Sequence, residues 1–126
     1  MITTKNVELV RLPVLGKFLE FDRRKEMKYD NDVGYIERLK EDFRKNGLQQ
    51  PLVLAVSKKT QRAYLCEGNH RFVCLEMLNV HWVPLQVGYW FLNDENDHRF
   101  NFIPAALHEF PNDITPSMCG FETRTI

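Results

Sequence analysis

The densest chemistry in the sequence is the run Glu67-Gly68-Asn69-His70-Arg71, which sets a carboxylate, a glycine, two polar side chains and a guanidinium side by side. It stands where an apolar strand pattern gives way to a helix pattern. The first backbone N–H groups of a helix lack intrahelical partners, and the macrodipole concentrates roughly half a positive charge there. A phosphate can therefore bind to bare main chain at such a junction. Gly68 removes the Cβ that would hold an anion away. Arg71 adds a planar fork able to bridge two phosphate oxygens, at about 1.5–3 kcal/mol for each well-formed charge-assisted bond. Asn69 and His70 supply further donors. Glu67 can hold Mg²⁺ through an oxygen, or take a proton from an attacking hydroxyl or water.

The turn does not suffice alone, because micromolar affinity corresponds to about −8 kcal/mol. Gln49 and Gln50 lie just before the apolar strand and are placed to line the same end of a sheet, where Gln50 can read a base edge or a ribose. Arg23-Arg24-Lys25 is the compact basic run that can add outer phosphate contacts, although such a run also serves as an ordinary solvated face.

Several elements must position these groups. Val7 to Val14 alternates loosely and meets Pro13, which predicts a short or edge strand. Phe18 to Asp30 is dense in charge and reads as a loop or irregular helix. From Asp32 onward Val33, Ile36, Leu39 and Phe43 recur at helical spacing, with Asp30, Asn31 or Asp32 as cap and Asn46-Gly47 as a left-handed stop. Pro51 to Val56 is a continuous apolar run, too short for a helix and suited to a buried strand. Ser57 to Gln61 turns the chain into a second strand, Arg62 to Cys66, closing a hairpin. His70 to Leu78 forms a helix with a wide apolar face, ended by Asn79. His81 to Val87 alternates as a third strand of that region, and Pro84 points to an edge or a strand start. Beyond Trp90, Asn93 to Asp97 is a polar loop, and Pro104 to Phe110 is predicted to form a short helix with its proline in the first turn. The order predicts an α/β (α+β) domain: one small mixed sheet with flanking helices, spanning 1–126 with a core at 7–88 and a C-terminal extension at 89–126.

At 126 residues, with 44% hydrophobic and 27% charged residues, the chain fits one globular domain with its own core. Seventeen basic and seventeen acidic residues cancel, so no global field draws it to a phosphate backbone or an anionic membrane. The longest apolar stretch is far short of the roughly 20 residues of a membrane span, and the first residues lack a signal pattern. Three cysteines without C-x-x-C spacing favour a reducing compartment, cytoplasmic or nuclear. Cys66 and Cys74 read as core, and Cys119, in a proline-flanked loop, as exposed. His81, His98 and His108 show no metal spacing. Trp82, Tyr89, Trp90, Phe91, Phe100 and Phe102 read as a cover over the sheet rather than as a stacking platform for bases.

Three pieces occur in order: Asn46-Gly47-Leu48-Gln49-Gln50-Pro51 before an apolar strand, Glu67-Gly68-Asn69-His70-Arg71 before a helix, and Val83-Pro84-Leu85-Gln86-Val87. Together they resemble the ParB/sulfiredoxin superfamily of nucleotide-binding domains, over roughly Val7 to Val87. The resemblance implies that Gly68, Asn69, His70 and Arg71 grip nucleotide phosphates while Gln50 and the segment before the first helix complete the pocket. Asn69 stands where sulfiredoxins carry cysteine, so peroxiredoxin repair is not implied. His70 stands where ParB partition proteins usually carry arginine, and 126 residues leave no room for their DNA-reading and dimerisation domains. The Gly-x-His-Arg form with a preceding acid resembles instead the ATP- or ADP-dependent free serine kinases and small proteins sometimes described as nucleases. In the kinases a second acid comes from the segment before the first helix, where Glu20, Asp22 and Glu26 are available and the apolar flanks of Glu20 suit a pocket wall.

The expectation is thus a domain that binds a nucleoside di- or triphosphate (ATP, ADP or CTP), with Mg²⁺ on Glu67, and hydrolyses it or transfers a phosphoryl group. Glu67, His70 and Glu20 are the candidate catalytic residues. One alternative is a DNA-binding or nuclease-like module using Arg23, Arg24, Lys25 and Lys58-Lys59 as a phosphate track. Another is an interaction domain without turnover.

Overall fold

A computed structural model describes residues 6–19, 30–66, 69–90 and 101–126, with the backbone alone for 30–33 and 69. The described residues form a small α+β fold: a mixed six-stranded sheet, two α-helices and a 3-10 helix. Strand β1 is Val7–Arg11, β2 Leu52–Val56, β3 Arg62–Cys66, β4 Trp82–Tyr89, β5 Asn101–Phe102 and β6 Thr123–Arg124. Helix α1 is Asp30–Asn46 and α2 is Asn69–Met77. In space the strands run β5-β3-β2-β4-β1-β6. Among the described residues β2 and β4 pair in parallel, and every other neighbouring pair is antiparallel.

Sequence punctuation accounts for most of this. Gly47 adopts φ 71° and its N–H returns to the Phe43 carbonyl at 3.0 Å, closing α1 with a left-handed cap. Asn79, at φ 58°, ends α2 in the same manner, its N–H on the Glu76 carbonyl. The turn between β2 and β3 is organised by buried Ser57, whose hydroxyl accepts from the N–H groups of Lys59 and Thr60, both at 3.2 Å. Strand β2 is apolar throughout because it lies inside the sheet, while β4 alternates and turns Val83, Leu85 and Val87 into the core.

Four local expectations are corrected. Strand β1 stops at Arg11, because Pro13 fits the start of the 3-10 helix Leu12–Phe18. That strand is also flanked on both sides, by β4 and by the two residues of β6. Strand β4 is central rather than an edge, and Pro84 is tolerated for a reason of register. Leu12 N–H donates to His81 O at 2.8 Å and Trp90 N–H to Val56 O at 2.9 Å, so even-numbered residues of β4 face β2. Pairing with β2 begins only at Leu52 opposite Leu85, and the Pro84 nitrogen faces the point just before that ladder starts. Finally, Pro104 to Phe110 contains no helix. Its backbone bonds elsewhere: Ala105 N–H to Cys119 O at 3.0 Å, and Leu107 N–H to the Gln61 side chain at 3.1 Å. The polar loop expected at Asn93 to Asp97, most of the stretch from Phe18 to Asp30, and Phe91, His98 and Phe100 lie outside the described residues.

One hydrophobic cluster runs from Val10 to Phe121, so residues beyond 88 share the core rather than append to it. Ile103, Ile114, Cys119 and Phe121 all enter it, and Phe121 meets fully buried Phe18 edge-on at 5.6 Å. Burying a ring such as Phe18 contributes about 1.5–3 kcal/mol. Cys119, expected at the surface, is wholly buried because the turn after Pro116 folds it into the core cluster that also holds Ile114 and Phe121. Cys74 is core as expected, whereas Cys66 is only half-buried at the end of β3.

Candidate functional site

The chain leaves β3 at Cys66 and enters α2 at Asn69, so the strand-to-helix junction stands as expected. Helix α2 carries no acidic residue in its first turn to neutralise its positive end. Of the residues expected at this site, Gln50, His70 and Arg71 are described with their side chains. Glu67, Gly68, Glu20, Arg23 and Arg24 lie outside the described residues, as does the side chain of Asn69.

Arg71 reaches back across the start of β2. Its Nη2 donates to the Gln50 carbonyl at 2.6 Å and its Nη1 to the Pro51 carbonyl at 3.4 Å. The guanidinium is thereby fixed where β2 begins and α2 begins, the two ends that the hairpin brings together. Gln50 accepts from Arg71 through its main chain, and the residue is exposed.

His70 is half-buried and meets Tyr35 of α1 edge-to-face, ring centroids 4.9 Å apart at 81°. Arg38, one turn along α1, holds its guanidinium carbon 5.9 Å from the Tyr35 ring centroid. Tyr35 is 43% exposed, a large aromatic ring open to solvent between an imidazole and a guanidinium. Neither Tyr35 nor Arg38 stands out in the sequence. The signal available was their i, i+3 spacing, which places them on one face of the helix; what brings that face to His70 is the packing of α1 on α2.

At the start of α2, His70 thus faces Tyr35 of α1 while Arg71 reaches the carbonyls of Gln50 and Pro51. Among the described residues no group of three or more His, Cys, Asp or Glu is arranged to hold a metal ion. The Lys58-Lys59 turn sits at the other end of the β2–β3 hairpin, about 17 Å away by the length of a five-residue strand. There Lys58 stacks its ammonium 4.2 Å from the Tyr89 ring centroid. A groove of about 390 Å³ opens at the C-terminal ends of α1 and α2, lined by Phe43, Leu75, Leu78, Trp82 and Pro84 with Arg44 at its side, and its apolar lining does not belong to the anion chemistry of the α2 start.

The chain matches no protein-family model, no curated protein and no solved structure. No helix among the described residues is long and apolar enough to cross a membrane.

Proposed function

We propose that the chain binds the phosphates of a nucleoside di- or triphosphate at the first turn of α2 and, with Mg²⁺, hydrolyses the nucleotide or transfers its terminal phosphoryl group. The observation that carries this reading is the guanidinium of Arg71, held by two carbonyls at the start of a helix whose first turn contains no acidic residue. A donor held in place before the ligand arrives loses little freedom on binding. His70 adds a donor, and its ring meets the exposed Tyr35, beside which Arg38 lies. Glu67 stands two residues before this turn in the chain and is the residue that would hold Mg²⁺ or act as general base.

Magnitudes agree with a shared load. Two charge-assisted bonds from Arg71 contribute about 3–6 kcal/mol, and a micromolar complex needs about 8. Contacts from outside α2 must make up the difference. A DNA-binding reading would need Arg23, Arg24, Lys25 and Lys58-Lys59 in one track, and the zero net charge weighs against it.

Thermal-shift measurements with ATP, ADP, CTP and GTP, each with and without Mg²⁺, test the proposal. At a hundred dissociation constants of ligand the stabilisation is about 2.7 kcal/mol. The expected result is a raised melting temperature that Arg71→Ala abolishes, with Glu67→Gln retaining binding and losing turnover. No shift with any of the four nucleotides would refute it.

A further inference from the structure

In the parallel ladder between β2 and β4 the even-numbered residues of β4 donate to β2 in steps of two. Trp90 N–H gives to Val56 O. By the same register Gly88 N–H faces the Leu54 carbonyl, and Gln86 N–H faces the Leu52 carbonyl. One step further back, an N–H at position 84 would have the Gln50 carbonyl as its acceptor. Pro84 has no N–H. The ladder accordingly starts at Leu52 opposite Leu85, one residue after Pro51. The Gln50 carbonyl that a ladder partner would occupy accepts instead from Arg71 Nη2 at 2.6 Å.

We infer that Pro84 is a positioning residue for the α2 site: by withholding a backbone donor from Gln50 O, it leaves that carbonyl to Arg71 and so sets the guanidinium at the start of the helix. A guanidinium carries its donors in a rigid planar fork. Bonds to two successive carbonyls, Gln50 and Pro51, therefore fix the plane and the direction of its remaining edges. The same relation explains why proline stands in a central strand, where it is ordinarily excluded. The structural half of the inference rests on strand register alone. Its consequence for a ligand rests on the nucleotide reading proposed above.

Pro84→Ala restores the donor and tests both halves. Nuclear magnetic resonance of the intact chain, with ¹⁵N-labelled arginine, reads the Arg71 side-chain N–H groups directly. In the wild-type chain these are expected to exchange slowly with solvent. In Pro84→Ala they lose protection while the new amide at position 84 gains it, and nucleotide affinity falls about three- to tenfold, the cost of immobilising one long side chain on binding. Pro84→Val carries the same readout if the alanine variant does not fold. Arg71 resonances that keep their protection in the variant, whether or not the amide at 84 is protected, overturn the inference, since a carbonyl with two lone pairs would then be serving Arg71 regardless of the ladder donor. A wild-type chain that binds no nucleotide defeats the functional reading instead, and the exchange behaviour of Arg71 still decides the role of Pro84.

Discussion

The side-chain amide of Gln61 closes a two-bond clasp on the main chain of Leu107: Nε2 donates to the Leu107 carbonyl at 2.7 Å and Oε1 accepts the Leu107 N–H at 3.1 Å. A third bond, Ile103 N–H to Gln61 O at 3.0 Å, ties the same turn to the start of the C-terminal segment. Gln61 holds φ at 58°, so the turn places a non-glycine residue in the left-handed region to make this contact. Gln61→Ala removes both side-chain bonds and strands the Leu107 groups in a half-buried position. The expected loss is about 1–3 kcal/mol in urea unfolding. Gln61→Gly relieves the left-handed backbone yet loses the clasp, so it too is expected to destabilise; a glycine variant more stable than wild type would show that the clasp contributes little.

Gly120 has no such latitude. Its φ is +95°, and a Cβ there would lie 2.8 Å from the Ala105 nitrogen and 2.9 Å from the Pro104 Cβ. That nitrogen is already committed to the Cys119 carbonyl. Gly120→Ala combines backbone strain with an overpacked contact, and is expected to cost about 3 kcal/mol. Thermal unfolding of the variant measures it, and a melting temperature equal to that of wild type would contradict the packing of this turn.

The carboxylate of Glu8 anchors the C-terminal segment to β1. Its Oε1 accepts from the Ser117 N–H at 3.0 Å and hydroxyl at 2.9 Å, and its Oε2 from the Thr123 hydroxyl at 3.1 Å. Burial pushes the Glu8 carboxyl up, but the bonds from Ser117, Thr123 and Thr115 outweigh it and hold the group below its ordinary value. A carboxyl that is more acidic folded than unfolded contributes stability above its unfolded pKa, about 4.3, and loses it as the pH falls through the folded value. The stability gap between wild type and Glu8→Gln is therefore full at about pH 7 and closes below about pH 4. Urea midpoints at the two pH values measure it, and a gap that does not change with pH would show that the anionic form is not what holds Ser117.

Residues whose fate is decided locally were legible in the sequence. Gly47 and Asn79 stop their helices because left-handed backbone favours a residue without a Cβ or with a short polar side chain, and Leu52 to Val56 is a buried strand because nothing polar interrupts it. Pro84 misleads, because the rule that moves proline to an edge depends on which neighbour its nitrogen faces, and that is a property of the assembled sheet. Pro104 misleads in another way: the Leu107 N–H that would close the first turn of a helix there goes to the Gln61 side chain instead, from far along the chain. At the candidate site Arg71 and its helix start were readable from spacing. The use of Gln50 through its carbonyl, and the meeting of Tyr35 with His70, come from packing between α1, α2 and the sheet, which local pattern does not encode.

The three thiols are expected to differ sharply in reactivity. Cys74 and Cys119 are fully buried, and Cys66 is half-buried at the end of β3. Burial, with the Glu8 charge adding to it, pushes the Cys119 thiol up to about 12. Burial also raises the Cys74 thiol, against the opposing pull of Lys40 and Arg44. Since the thiolate is the reacting species, Cys119 near pH 8 holds about one part in ten thousand of it, and even that fraction is shielded from reagent. Alkylation of the folded chain followed by mass spectrometry is thus expected to mark Cys66 first, and Cys74 and Cys119 only at the rate of unfolding. In Cys66→Ser native labelling falls to that unfolding rate, and urea restores two labels. A Cys119 modified as fast as Cys66 in the folded chain would mean that the turn after Pro116 does not bury it in the core.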